Sequence, residues 1–87
     1  MTVHVEFFGI PRKLTGVASV NLQAETLLEV LNQLHRLYPE FGLTCLDHNT
    51  LKPGFIININ GTTFTKASHH RLNYDDDILI LSSDAGG

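Results

Sequence analysis

The chain ends in Ala85-Gly86-Gly87, a few residues beyond the apolar run Ile78-Leu79-Ile80-Leu81. Glycine has no Cβ, so a Gly-Gly tail can thread a narrow channel, adopt φ angles closed to other residues, and leave its terminal carboxylate open from either side. The carboxylate of Gly87 is therefore itself a candidate reactive group, with Gly86 and Ala85 as the segment that would insert. A carboxylate is a poor electrophile because its leaving group would be oxide, so any substitution there needs prior activation. A plain chain end or an expression scar would look similar, and the remaining residues have to decide between these readings.

Other constellations carry less. His69-His70, with His4, His35 and His48, invites a metal reading, but zinc sites pair closely spaced Cys and His from two segments, and one cysteine with scattered histidines does not do this. Asp75-Asp76-Asp77 lacks the ligand spacing and the Gly and Glu positions of a calcium loop, and reads as a tight turn before a strand. Cys45 stands near Asp47 and His48, yet adjacency in sequence is not the geometry of a nucleophile and its base, so a structural thiol is the better account. Gly42, Gly54 and Gly61 have no phosphate-loop spacing. No metal or cofactor is expected on this chain, and ATP is expected only on a partner.

Composition narrows the class. Eighty-seven residues with 43% hydrophobic and 17% charged side chains suit one small soluble domain with a single core and little room for a deep pocket. No apolar window approaches the roughly 18 residues of a membrane span. The first residues lack a secretory pattern, and the lone Cys45 agrees with a reducing compartment, so the protein reads as cytoplasmic. A net charge of −3, with no basic cluster beyond Arg12-Lys13, argues against nucleic acid and favours a partner with a basic surface.

The elements that must position the tail follow from periodicity. Val3 to Phe8 alternates, with Val3, Val5 and Phe7 facing a core and Phe8 falling on the opposite face, which makes Phe8 a candidate docking residue. Gly9 to Gly16 reads as a punctuated connection, and Val17 to Leu22 as a second strand pairing with the first in a hairpin. Thr26-Leu27-Leu28-Glu29 matches a capping box, and Leu27, Val30, Leu31, Leu34 and Leu37 form one helical stripe that ends before Pro39. Glu40 to Gly54 reads as a long loop holding at most a short irregular helical turn. Phe55 to Asn60 is a strand leading into Asn60-Gly61, a hairpin signal, with a short strand at Thr63 to Thr65. Ile78 to Leu81 reads as a central strand buried on both faces. One helix covering a sheet of four to five strands is an α+β arrangement, and its simplest version is the ubiquitin-like β-grasp. Residues 1–87 would form one domain, with 82–87 as a flexible tail.

Together these residues resemble a known family. Phe7-Phe8-Gly9-Ile10-Pro11-Arg12-Lys13-Leu14-Thr15-Gly16 is similar to the first-strand and loop signature of the MoaD branch of the MoaD/ThiS family of ubiquitin-like sulfur carriers. Leu72-Asn73-Tyr74-Asp75-Asp76-Asp77-Ile78 resembles that family's turn into the last strand, and the distance from Ile78 to Gly87 suits its Gly-Gly terminus. Tyr74, Asp75 and Ser82-Ser83 depart from the pattern, where the family prefers Asp, Gly and, in some members, a Pro pair. The Asp75 turn is expected to survive in a left-handed conformation, and the Ser pair to loosen the root of the tail. The Phe7-Phe8 pair and the long Glu40 to Gly54 segment favour the MoaD branch over the shorter thiamine-type carriers.

The resemblance implies a chemistry. An adenylating partner converts the Gly87 carboxylate into an acyl-adenylate, and a sulfur donor protein turns that into a thiocarboxylate. In the MoaD-type case the tail inserts into the large subunit of molybdopterin synthase, in a heterotetramer, and delivers sulfur to a pterin precursor. The chain is then a cosubstrate subunit without catalytic side chains of its own. Leu81 corresponds to a family position that contacts partners, and Asp84 would meet a basic groove or stand solvated. Carriers for tRNA thiolation, ubiquitin-like modifiers and non-reactive β-grasp domains remain as alternatives.

Overall fold

The computed structural model describes residues 2–48 and 50–83. Five strands form one mixed sheet in the order β2-β1-β7-β5-β6. They are β1 (Thr2–Phe8), β2 (Ser19–Gln23), β5 (Phe55–Ile59), β6 (Thr63–Thr65) and β7 (Asp77–Ser82). β1 and β7 run parallel while the remaining pairs are antiparallel, so β7 lies at the centre, as the unbroken apolar run Ile78 to Leu81 anticipated. Between them come three helices, α1 (Ile10–Thr15), α2 (Leu27–Leu37) and α3 (Pro39–Cys45), and a small hairpin, β3 (Leu46–Asp47) with β4 (Thr50–Leu51). This is the α+β, ubiquitin-like β-grasp arrangement.

Strand alternation sorts the sheet into two faces. Val3, Val5, Phe7, Leu22, Ile57, Ile59, Ile78 and Ile80 point inward and are buried. Against them lies the stripe of α2, Leu27, Val30, Leu31 and Leu34, all buried, as the i, i+3, i+4, i+7 spacing requires. The start of α2 is the capping box: the Glu29 N–H donates to Thr26 Oγ1 at 3.3 Å. Its return bond goes one residue further back than expected, with Glu29 Oε2 accepting from the Glu25 N–H at 2.8 Å.

Two segments read as connections are helical. Gly9 to Gly16 contains α1, six residues bracketed by glycines at positive φ and begun by Pro11 in its first turn. A helix that short never completes two turns, so it leaves no periodic signal. The long loop contains α3, in which Pro39 both ends α2 and opens the next helix at the position where its missing N–H costs nothing. Phe41 and Cys45, four residues apart, are fully buried, and the Phe7 ring stands edge-on to Phe41 and to Tyr38 at 6.1 Å. Gly42 lets α3 approach α2: a Cβ there would come within 2.6 Å of the His35 ring.

Candidate functional site

The tail residues Asp84, Ala85, Gly86 and Gly87 lie outside the described residues, so the site is defined by the root from which they leave. That root is the end of β7, the central strand. Because β1 runs parallel to β7, Phe8 and Leu81 come side by side, and Ile56 of β5 flanks Leu81 on its other edge. The resulting apolar row, Phe8–Leu81–Ile56, lies on the outer face of the sheet, away from α2. Phe8 is 49% exposed, as its alternation with Phe7 demanded. Leu81, the other sequence candidate, is on the same face but only 7% exposed, enclosed between its neighbouring strands and outside the main core cluster. Phe8 is thus the exposed member of this row, while Leu81 forms its floor. Leu79 follows on the same face and is half-buried, and Phe64 on β6 adds an exposed ring two strands away.

Both residues of the Ser pair, read from sequence as the start of a flexible tail, make hydrogen bonds to neighbouring segments. Ser82 closes β7 and is buried, with its Oγ accepting the Ile10 N–H at 3.4 Å. Ser83 donates its N–H to the Gly54 carbonyl at 2.7 Å, a bond that a proline at this position could not make. The root is held on one side by α1 and on the other by the turn before β5. Sequence reasoning missed this because both acceptors and donors come from segments remote in the chain.

The opposite end of the outer face is polar. Asp76 is buried and fully used: Oδ1 accepts from Asn60 Nδ2 at 2.9 Å and Oδ2 from the Asn73 N–H at 2.7 Å. Asn60 Oδ1 in turn accepts the Asp77 N–H at 2.8 Å. The aspartate run is therefore the turn lock that the sequence suggested. His4 on β1 hydrogen-bonds Asn21 and Glu6, and these contacts, Asn21 first, raise its pKa above the ordinary histidine value. Cys45 is fully buried, and burial pushes its thiol up to about 11, so it is not a nucleophile near neutral pH. Among the described residues no three His, Cys, Asp or Glu side chains converge as a metal site. No helix among them is long and apolar enough to cross a membrane. The described residues offer an exposed apolar row beside a hydrogen-bonded end of β7.

No curated protein sequence matches the chain. Among solved structures, SAMP1, the small archaeal modifier protein 1 of Methanosarcina acetivorans, matches with a TM-score of 0.80 at 26% identity, over 99% of this chain and 96% of that one. SAMP1 of Haloferax volcanii matches over 100% of both chains with a TM-score of 0.84 at 15% identity. A Pyrococcus furiosus protein assigned as molybdopterin converting factor, subunit 1, matches at 0.76 and 15% identity, over 94% and 97% of the two chains. The last two likenesses establish the fold alone. The model of the ThiS family matches residues 5–87, from the first strand through the Gly-Gly end. With its β-grasp sheet, its anchored tail root and a family match spanning nearly its whole length, the chain belongs to the ThiS family of ubiquitin-like sulfur carriers.

Proposed function

We propose that this chain carries sulfur on Gly87 for molybdopterin synthesis, as the small subunit of molybdopterin synthase. The observation that supports the reading is the family match running to residue 87, so that Gly86-Gly87 lie within the matched residues. In the first step a Gly87 carboxylate oxygen attacks the α-phosphorus of ATP on an adenylating enzyme, and pyrophosphate leaves. A sulfide-level sulfur from a donor protein then adds to the acyl carbon, and AMP leaves, giving the thiocarboxylate. In the large subunit that sulfur attacks a carbon of the pterin precursor and displaces an oxygen substituent from it, and water then adds at the acyl carbon, breaking its bond to the sulfur and restoring the carboxylate. The molybdopterin assignment rests on the Phe7-Phe8 pair and on the long segment between α2 and β5. All of this belongs to the cytoplasm and needs neither nucleic acid nor a membrane.

A second reading is favoured by one observation, the 26% identity to the M. acetivorans modifier protein. In that case the same adenylated Gly87 is joined to a lysine of a target protein, AMP leaving as the amine attacks.

Intact mass after incubation with ATP, a sulfur donor and the host's adenylating enzyme tests both. Replacement of one oxygen by sulfur is expected in the native chain and absent from a chain lacking Gly86-Gly87. Gly86→Val should fold normally and stay unconverted, because a β-branched side chain broadens the part of the tail that must enter the enzyme. Isopeptide-linked species of higher mass, without free thiocarboxylate, would move the assignment to a modifier. Full conversion of Gly86→Val would remove the reason for reading the Gly-Gly end as a threading device.

A further inference from the structure

The chain has a net charge of −3, yet among the described residues the surface beside Phe8 carries two neighbouring cations. Arg12 and Lys13 are both exposed on α1 and line an open depression of about 480 Å³ together with Phe8, Gly9 and Gly16. Among the described residues neither side chain forms a hydrogen bond or ion pair. Among the described residues, Glu6 and Asp77 line a second depression on the outer face, Glu6 beside Leu79 and Asp77 at the start of β7. Arg12 and Lys13 thus lie beside Phe8 of the apolar row Phe8–Leu81–Ile56, and Glu6 and Asp77 lie beyond that row toward the start of β7. The Ser82 bond to Ile10 joins α1 to the end of β7, so the cation pair and the exit of the tail keep a fixed relation.

We infer that Arg12 and Lys13 dock an acidic segment of the adenylating enzyme, with one of its carboxylates seated in the depression against Phe8 while the tail enters the active site. The inference rests on the reading of Gly87 given above. Charge complementarity selects the occupant. Two neighbouring cations with no internal partner repel a basic surface and steer an acidic one, and steering of this kind weakens with salt. Net charge alone points to a basic partner because it averages in acids such as Glu6 and Asp77, which lie on the other side of the apolar row from Arg12 and Lys13. Locally the sign is opposite. Phe8 gives the contact its apolar half, so the best-fitting partner segment sets an Asp or Glu beside an apolar side chain.

The test is steady-state kinetics of ATP-dependent pyrophosphate release by the host's adenylating enzyme, with this full chain as varied substrate, at low and at physiological salt. Arg12→Glu/Lys13→Glu should raise KM about tenfold at low salt with kcat unchanged, and should flatten the rise of KM with salt that the native chain shows. Arg12→Gln/Lys13→Gln should fall between. Arg36→Glu/Arg71→Glu changes net charge equally on the helix side of the sheet and should stay within about twofold of the native KM. Circular dichroism melting confirms that each variant is folded. Equal KM and salt slope in the native chain and in Arg12→Glu/Lys13→Glu would overturn the inference. So would an equal effect in the Arg36→Glu/Arg71→Glu control, or a loss confined to sulfur delivery after activation. Silence of the native chain with an enzyme active on another carrier sinks the sulfur-carrier reading itself, and is told apart by affecting every variant alike.

Discussion

Asp75 and Asn60 occupy backbone conformations that L-residues rarely hold, at φ 63° and 55°. Asn60 shares its turn with Gly61 at φ 73°, and the Thr62 N–H donates to the Ile59 carbonyl at 3.1 Å, closing the hairpin that Asn-Gly encodes. Asp75 sits third in the turn closed by the Asp76 N–H and the Asn73 carbonyl, where a left-handed residue is needed and glycine fits without strain. The aspartate is tolerated because its side chain is short, and it still costs something. Asp75→Gly should raise the denaturation midpoint, by about 0.5–1 kcal/mol in stability, since relief of the left-handed strain exceeds the added freedom of the unfolded chain. A lower midpoint would show that the Asp75 side chain makes a contribution the turn geometry does not reveal.

At the scale of elements, the end of β7 is held by bonds from segments on either side. The buried Ser82 receives the Ile10 N–H, and Ser83 reaches Gly54, so hydrogen bonding to neighbouring segments continues one residue past the end of β7. Where a Pro pair would stiffen the root by restricting φ, this chain does it with hydrogen bonds. Native-state hydrogen exchange should therefore show the Ser83 amide protected nearly as well as the amides inside β7, and Ser82→Ala should weaken that protection. Exchange at the rate of an unstructured chain in the native protein would show the root to be loose. The apolar row depends on the same element, since only the parallel pairing of β1 with β7 brings Phe8 beside Leu81.

For the whole molecule, the core described contains a buried thiol that bears on stability at high pH. Cys45 is enclosed with Phe41 and Leu46, and its thiol titrates at about 11 against an ordinary 9.0, because burial penalises the thiolate while Lys52 offsets this only slightly. The folded state keeps a proton that the unfolded chain releases first, so the unfolded state binds fewer protons above its own pKa. Stability is therefore intact below about pH 9 and falls as pH rises from there toward 11. Urea unfolding at about pH 7 and about pH 10 should show a larger loss in the native chain than in Cys45→Ala. Parallel losses in the two would assign the alkaline weakness to other groups.

Local chemistry made much of this molecule readable before its fold. The Thr26–Glu29 cap, the leucine stripe of α2, the Asn60-Gly61 turn, the inward set Val3, Val5 and Phe7, and the apolar central strand all follow from spacing, because each signal lies within a few residues of its effect. The Gly-Gly end and the motif around Phe7-Phe8 carried the family in the same way. Helices α1 and α3 were not legible, since one is too short for periodicity and the other is set by Phe41 and Cys45 reaching a core built from distant strands. Tertiary structure alone decided which face of β7 Leu81 occupies, that Ser82 and Ser83 anchor the root, and that two cations stand unpaired beside it in an acidic chain. Those three facts arise from pairings across the sheet, where residues far apart in sequence become neighbours and no local pattern records the meeting.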